Sequence, residues 1–485
     1  MKVLLIAPNR TVFPYRVTPV GILYLASRVS SSGHEARILD LMFVKDYEGA
    51  VERVVREFSP GAVGIGIRNI DDIVSKNGSY LSYYKKCIET IRRISKVPIV
   101  IGGSAFTTAT DTFMKELKPD FGLSGEADFS LPLLLQKIER GGDIESVPGI
   151  SFYKDGLLKI GAPAYVEDLD SIENQAIHLI DYRKYMRNRG HFGVVTQRGC
   201  NQRCIFCNDV HLCGRKVRFR SARRVVDEIE AIRKTTGMKY FGLADPLFNT
   251  DRDHMMRVLR ELARRKLGIG FHVELNPINQ DEESIRLLKE AGCICVDYTC
   301  DSGADSMLKA MKKGYSAQDA MAVAGLYAKY RIPYSVGFLV GGPSENRDTV
   351  GQTVRFAENL PGASVIYFSV GLVILPNSPL YEIAGNEGIL KNAGDPSEVR
   401  YYVDKGFDAE CARILISALR RNLHFYPSDF IFSQNIAFFW KLLDFMNLRP
   451  AYKFKPMIKY SFRLMPLGLG KMRWDEPQRR LVFTT

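Results

Sequence analysis

No run of about eighteen apolar residues occurs in this 485-residue sequence, so no transmembrane helix is expected. It also lacks low-complexity tracts and internal repeats. Met1-Lys2 runs straight into a short apolar stretch ending at Pro8, without the long apolar core of a signal peptide. The nine cysteines are too scattered for a secreted disulfide framework. These absences lead to the expectation of a cytoplasmic, reducing and anaerobic setting. No G-x-G-x-x-G follows the first apolar stretch, which argues against NAD or FAD.

What is present reads as an α/β protein of two or three domains, with 46% hydrophobic and 25% charged residues. Short β-branched runs at 3–6, 36–39, 62–67, 99–101 and 121–123 alternate with helical patterns near 18–32, 48–58, 80–95, 109–117 and 128–139. That alternation predicts a doubly wound parallel sheet over 1–140, Rossmann-like, whose ligands bind at the carboxyl ends of the strands. The loops at those ends carry Pro8, Asn9, Arg68, Asn69, Gly102, Gly103, Ser104, Gly125 and Glu126. Gly102-Gly103 would let a large planar ligand approach the backbone. Residues 141–190 read as a linker with an Asp155-Gly156 hairpin. Over 191–390, strands at 192–197, 239–244, 269–275, 294–299, 334–340 and 365–373 predict a partial (β/α)6 barrel of TIM type. Residues 391–485 form a helical, aromatic and basic C-terminal extension.

Three cysteines, Cys200, Cys204 and Cys207, crowd into eight residues just after the first barrel strand. Three thiolates at this spacing can wrap one face of an iron–sulfur cluster and leave one iron open. Structural zinc is the rival reading, with His211 or Cys213 as fourth ligand. Cys293 and Cys295 are expected to pack as small hydrophobes in a buried strand. Tyr298 and Cys300, further along it, are expected to face substrate as proton or hydrogen-atom donors.

The net charge of +13 is unevenly spread, with ten basic against three acidic residues over 441–485. A second basic group, Arg198, Arg203, Arg215, Lys216, Arg218, Arg220, Arg223 and Arg224, surrounds the cysteines and is opposed locally only by Asp209. Such a collar would steer an acidic electron donor, of flavodoxin or ferredoxin type, or an anionic substrate. No nucleic-acid module accompanies the charge, so no nucleic acid is expected. The aromatic stretch Phe430, Phe432, Phe438, Phe439, Trp440 and Phe445 reads first as packing on the barrel. The other readings are peripheral contact with a membrane surface or with an amphiphilic substrate.

The Cys200-x3-Cys204-x2-Cys207 spacing, with Phe206 in its last gap, resembles that of radical S-adenosylmethionine enzymes. Pro19-Val20-Gly21-Ile22, and Val97-Pro98 leading to Gly102-Gly103-Ser104, resemble a cobalamin-binding domain. Further matching points are Arg218-Phe219-Arg220-Ser221, Asp301-Ser302-Gly303, the segment 337–345 and Leu375-Pro376-Asn377-Ser378-Pro379. Together they resemble the cobalamin-dependent radical S-adenosylmethionine superfamily over roughly residues 1–390. The resemblance implies a [4Fe-4S] cluster on Cys200, Cys204 and Cys207, S-adenosylmethionine on its open iron, and cobalamin at the loops of the first sheet. It implies that Phe206 borders the adenine and that Gly341 supports it. Asp245, Glu274, Asp301 and Ser302 would meet the methionine and ribose, although a helix cap also explains Asp301-Ser302.

The sequence departs from this family in one respect. The Asp-x-His-x-x-Gly motif that supplies an imidazole to cobalt is absent, and His34 is the one histidine of residues 1–140. No histidine lower ligand is therefore expected, and Arg68 and Asn69 are the candidates to lie beneath the corrin. The leading functional expectation is methylation of an unactivated carbon of a small molecule, amphiphilic or anionic. The alternative is a non-methylating cyclase, ring-contracting or redox enzyme. A carrier without turnover is disfavoured by the complete barrel pattern.

Overall fold

The computed structural model describes residues 1–11, 16–69, 80–188, 190–390, 400–422, 424–428, 472–476 and 479–483. The aromatic stretch and most of the basic tail lie outside these residues, as do Ile70 and Asp71 of the loop after the third strand. The chain divides into two units: Met1–Asn201 with Asn208–Ala244, and Gln202–Cys207 with Asp245–Lys391 and Arg400–Thr485. It passes from one to the other inside the cysteine motif.

In the first unit, β1 (Lys2–Ala7), β2 (Glu35–Asp40), β3 (Ala62–Gly66), β4 (Ile99–Gly102) and β5 (Phe121–Leu123) run parallel in the order β2-β1-β3-β4-β5. The connecting helices are α1 (Val20–Ser31), α2 (Tyr47–Phe58), α3 (Leu81–Ile94), α4 (Ser104–Thr108) and α5 (Thr110–Leu117), with α6 (Ser130–Arg140) after β5. Successive strand side chains point to opposite faces, and here both faces are apolar. Leu4, Ile6, Val63, Ile65, Ile99 and Ile101 pack with Val51, Val55, Ile88 and Ile91 of α2 and α3. Val3, Leu5, Ala62 and Val100 pack with Ile22 and Ala26 of α1 and Leu131 and Leu134 of α6. Cover on both sides is what a parallel sheet of continuous apolar strands requires.

The antiparallel strands β6 (Ile150–Lys154) and β7 (Leu157–Ile160) extend this sheet. Asp155 and Gly156 between them adopt φ of 50° and 77°, the primed turn expected of Asp-Gly. In α7 (Tyr182–Arg187) the Tyr185 hydroxyl donates to Asp40 Oδ2 at 2.7 Å, which fastens the linker to the end of β2. Then follow β8 (Phe192–Val194), β9 (Gln197–Arg198), α8 (Asp209–Cys213), β10 (Arg218–Phe219), α9 (Ala222–Thr236) and β11 (Tyr240–Leu243). β8 and β11 pair in parallel, β9 and β10 antiparallel.

The second unit contains α10 (Arg252–Arg265), β12 (Gly270–Leu275), α11 (Glu282–Glu290), β13 (Cys293–Asp301), α12 (Asp305–Ala310), α13 (Ala317–Lys329), β14 (Tyr334–Val340), α14 (Arg347–Glu358) and β15 (Val365–Val370). After these come β16 (Leu372–Val373), α15 (Pro379–Asn386), β17 (Tyr401–Tyr402), α16 (Ala409–Arg421), β18 (Phe425–Pro427), β19 (Met472–Asp475) and β20 (Arg480–Phe483). Its sheet is parallel throughout, in the order β12-β13-β14-β15-β18. All six strands expected for the partial barrel are present, as β8, β11, β12, β13, β14 and β15. The sequence did not announce β18 or the β19–β20 hairpin, which accompany α16 in the C-terminal extension. No helix among the described residues is long and apolar enough to cross a membrane.

A buried polar network braces the first unit. The Tyr24 hydroxyl of α1 donates to Glu228 Oε2 at 2.9 Å, and Gln175 N donates to Glu228 Oε1 at 2.9 Å. Arg220 pairs with the same carboxylate and donates to Val195 O at 3.0 Å. Arg220 is 1% exposed and Glu228 0%, so removing either charge strands the other in a dry interior. Arg220→Met should therefore lower the unfolding free energy by about 3–5 kcal/mol in urea titrations. The double variant R220M/E228L should recover most of that loss.

Candidate functional site

The cysteine motif is anchored by a two-residue ladder. β9 and β10 pair Arg198 with Arg218 and Gln197 with Phe219, closing the loop that contains the three thiols. Gly199 opens that loop at φ 98°, and a Cβ there would lie 2.3 Å from Lys216 O. Only glycine fits. Cys200 N donates to Gly214 O at 3.0 Å. Asn208 Nδ2 donates to Thr108 Oγ1 at 3.0 Å, and His211 Nε2 meets Thr107 O at 3.2 Å, so the exit of the motif rests on α4.

Two arginines side by side on paired strands repel unless they are neutralised. Asp128 and Glu126, after β5, do this. Arg198 pairs with both Asp128 oxygens at 2.7 and 3.2 Å and with Glu126 Oε2 at 3.2 Å. Arg218 pairs with both Glu126 oxygens at 2.9 and 2.8 Å. Glu126 also accepts from Val166 N at 2.7 Å. This corrects two expectations. Glu126 is committed to arginines of its own unit, and much of the basic collar is not an open positive surface. Lys216 pairs with Glu167 and Arg223 with Asp227, Arg220 lies in the Glu228 network, and Arg224 donates to Ile172 O. Asp227 and Glu228 lie close to their arginines in sequence, whereas Glu167 and the Ile172 carbonyl come from the linker.

In the second unit the motif is held by Ile205. It is buried with Met307, Met311, Leu372 and Leu380. Its N–H donates to Met311 O at 3.3 Å, and its carbonyl accepts from Leu380 N at 2.8 Å. Cys204 and Cys207 on either side are half-buried, while Cys200 is buried; none of the three is in a disulfide. Lys313 Nζ lies 3.2 Å from Cys204 Sγ and 2.6 Å from Asp301 Oδ2, and 5.4 Å from the centre of the Phe206 ring. Tyr315 completes this group by donating from its hydroxyl to Thr299 O at 2.9 Å and Asp301 Oδ2 at 3.3 Å.

The donor set fits an iron–sulfur cluster. An ammonium aimed at sulfur is the partner a thiolate takes. The residues that zinc would recruit are already engaged: His211 at Thr107 O, and Cys213 donating to Asp209 O at 2.9 Å. Among the described residues no three His, Cys, Asp or Glu side chains converge on the point a single ion would occupy. A cluster does not need them to, because it takes each thiolate on a different iron.

Strand β13 changes the assignment of its own residues. Tyr298 and Cys300 were expected to face substrate. The Tyr298 hydroxyl instead donates to Ala320 O of α13 at 3.0 Å, its ring packing on Tyr327 and Tyr334. Cys300 is fully buried on the same side, and burial pushes its thiol well above the ordinary value. Cys293 and Cys295 are buried, as core packing requires. The opposite parity carries the polar groups. Glu274, Asp297 and Ser335 stand in register across β12, β13 and β14, with Ser335 Oγ donating to Asp297 Oδ1 at 2.6 Å. The Tyr367 ring covers Gly337, where a Cβ would lie 2.5 Å from its Cε2. Sequence reasoning missed Asp297, Lys313, Tyr315 and Tyr367. One signal was available, an aspartate alone in the apolar run 293–300.

Of the remaining expected residues, Asp245 is buried and Glu274 is exposed. Ser302 Oγ is spent on Thr353 Oγ1 at 3.0 Å and on the Ala304 N–H at 3.1 Å. Gly341, at φ 89°, donates to Glu345 Oε2 at 3.1 Å. In the first unit, Ser104 Oγ donates to Arg68 O at 3.0 Å, Asn69 Nδ2 to Thr11 Oγ1 at 3.2 Å, and Thr11 N to Asn9 Oδ1 at 3.1 Å. Asn9, beyond the buried Pro8, joins Arg68, Asn69 and Ser104 as a half-buried or exposed polar group at the carboxyl ends of β1, β3 and β4. His34 is at the other end of the sheet, 3.2 Å from the N-terminal nitrogen. This set fits a cobalamin with no ligand from His34. The glycines are explained differently from expectation. A Cβ on Gly103 would lie 2.5 Å from Ile67 O, and on Gly125 2.3 Å from Ala164 O. They serve close packing of the loops on their own backbone.

Residues 7–135 match the model of the B12 binding domain, and residues 194–357 that of the Radical SAM superfamily. The chain is 25% identical to an uncharacterized methyltransferase of Pyrococcus horikoshii over 74% of its own length and 78% of that protein's. It is 26% identical to tryptophan 2-C-methyltransferase of Streptomyces laurentii, over 77% and 73%. The radical S-adenosylmethionine methyltransferase TsrM from Kitasatospora setae, solved with cobalamin and a [4Fe-4S] cluster, superposes with a TM-score of 0.83 at 23% identity. That superposition covers 96% of this chain and 99% of the other.

Glu345, which holds the Gly341 turn, is 1% exposed, and burial pushes its carboxyl up to about 7. The Thr349 hydroxyl and the Gly341 N–H oppose that rise, while nearby Asp404 adds to it. The folded state therefore favours the protonated acid. Its stabilising contribution is complete below the ordinary carboxylate range and is lost as pH rises through about 7. Thermal unfolding of the metal-free protein should show a midpoint that falls between pH 5 and 8, with a shallower fall in E345Q.

Proposed function

We propose that this chain, which belongs to the radical S-adenosylmethionine superfamily and carries a B12-binding domain, is a cobalamin-dependent C-methyltransferase acting on a small molecule. When bound, the cluster with S-adenosylmethionine supplies a 5′-deoxyadenosyl radical, and cobalamin carries the methyl group. The observation that carries the reading is the conjunction of three cysteines outside any disulfide, one beneath a buried ammonium, with a parallel sheet whose carboxyl-end loops have no histidine in their sequence. Methyltransferases among its relatives support it.

Cys200, Cys204 and Cys207 would hold the cluster. Phe206 and the Gly341 turn would border the adenine. Asp245 and Glu274 would bind the polar end of S-adenosylmethionine, whereas the Asp301 carboxylate, also expected there, is taken up by Lys313 and Tyr315. Asn9, Arg68, Asn69 and Ser104 would receive the corrin, and cobalamin bound there would supply methyl transfer without an imidazole from His34. The polar parity of β12–β15, not Tyr298 or Cys300, would face the substrate. An acidic donor of flavodoxin or ferredoxin type would supply the electron, and exposed cations near the motif include Arg203, Arg215 and Lys216.

Anaerobically reconstituted protein, given S-adenosylmethionine, cobalamin, reductant and candidate substrates, should form 5′-deoxyadenosine and S-adenosylhomocysteine together. One molecule is consumed for the radical and another to remethylate cobalamin. Cys204→Ala should abolish the deoxyadenosine. Deoxyadenosine without S-adenosylhomocysteine would replace methylation with a cyclisation or redox outcome, and neither product would sink the reading.

A further inference from the structure

Beyond its contact with Cys204, Lys313 is held from several sides by its surroundings. It follows α12 in the segment Met311-Lys312-Lys313-Gly314-Tyr315. Lys312 turns the chain at φ 56°, and Lys313 N caps the helix by donating to Leu308 O at 2.8 Å. Two residues earlier, Met311 O accepts from Ile205 N. The backbone on both sides of the Lys313–Cys204 contact is thus tied together, Met311 to Ile205, and the contact is a property of the fold.

The ammonium is 7% exposed. It lies between the Phe206 and Tyr315 rings, at 5.4 and 5.8 Å from their centres, both within cation–π range. One direction is spent on Asp301 at 2.6 Å and another on Cys204 Sγ at 3.2 Å. Asp301 is itself held in the left-handed region, φ 60°, by the Tyr315 hydroxyl. An aspartate tolerates that region at a cost, and here the strain places its carboxylate behind the ammonium. The result is an oriented ion pair whose positive end touches sulfur.

We propose that Lys313, fixed by Asp301, is a positioning residue that sets the reduction potential of the cluster through its contact with Cys204. The inference rests on the reading that Cys204 is a cluster ligand. Reduction adds one negative charge to a cluster whose potential responds to net charge and to hydrogen bonds at its sulfurs. A donor cation at one thiolate stabilises the reduced form more than the oxidised form and makes reduction easier. Asp301 limits the effect, since its charge opposes that of Lys313 from the far side. The two residues therefore act with opposite signs.

The test is a potentiometric titration of the reconstituted full-length protein without S-adenosylmethionine, following the paramagnetic signal of the reduced cluster. Iron content and visible absorption are measured on each sample. Lys313→Met should move the midpoint to a more negative value, with the ratio of reduced to oxidised cluster at a fixed potential falling about tenfold, or about 59 mV for one electron. Lys313→Arg, which keeps charge and donor, should stay close to wild type. Asp301→Asn should move the midpoint in the positive direction.

An unchanged midpoint in K313M with full iron content would overturn the proposal. So would K313M and D301N shifting in the same direction, or K313M weakening only the binding of S-adenosylmethionine. If K313M fails to retain iron, D301N decides, and a midpoint that does not rise overturns the proposal. Wild-type protein that assembles no cluster would defeat the cluster assignment itself, a failure distinct from an intact cluster indifferent to Lys313.

Discussion

The arrangement of the cysteine motif depends on two carboxylates, Glu126 and Asp128, which neutralise Arg198 and Arg218. The two arginines are directly paired across β9 and β10, with side chains 15% and 3% exposed. Left uncompensated, two buried guanidiniums a strand spacing apart would break the ladder, because stranding one member of a buried pair costs about 3–5 kcal/mol. With the carboxylates in place the ladder closes, Gly199 turns, and Cys200 is set by its bond to Gly214. Their bidentate geometry supplies direction as well as charge. The segment that carries Cys200 is thus oriented by the loop after the last parallel strand of the first sheet.

The same logic recurs at each polar cluster. Glu228 with Arg220 and Tyr24, and Asp301 with Lys313 and Tyr315, each combine a carboxylate, a cation and a tyrosine hydroxyl away from water. Such groups are costly unless each member is satisfied, and when satisfied they fix one geometry. The net positive charge of the chain therefore says less about its surface than the count suggests. Several of the arginines nearest the cysteines act inward.

The sequence made the architecture legible because its signals were local and periodic. Apolar runs at strand spacing marked the five parallel strands of the first sheet and the six of the barrel, and Asp155-Gly156 marked the hairpin. The distance of His34 from the ligand loops followed from its place before β2. What stayed hidden was of two kinds. Ion pairs between Arg198 and Asp128, or Arg218 and Glu126, join residues 70 and 92 positions apart, and no sequence pattern announces them. The facing of Tyr298 and Cys300 was misread because β13 is apolar along most of its length, so the period of two is present but its phase is not. A register shift between Thr299 and Asp301 disturbs the alternation further. Asp297, Thr299 and Asp301 are the polar positions of the strand instead.

The central claim is that Cys200, Cys204 and Cys207 hold a four-iron cluster with one iron open to S-adenosylmethionine. Mössbauer spectroscopy of iron-57 protein, recorded with and without S-adenosylmethionine, tests it most directly. The account predicts about four irons per chain in one cluster type, with a single iron site changing its parameters when S-adenosylmethionine is added, and loss of that cluster when any of the three cysteines is replaced. Bound zinc in place of iron, or a cluster whose four sites are all indifferent to S-adenosylmethionine, would contradict it.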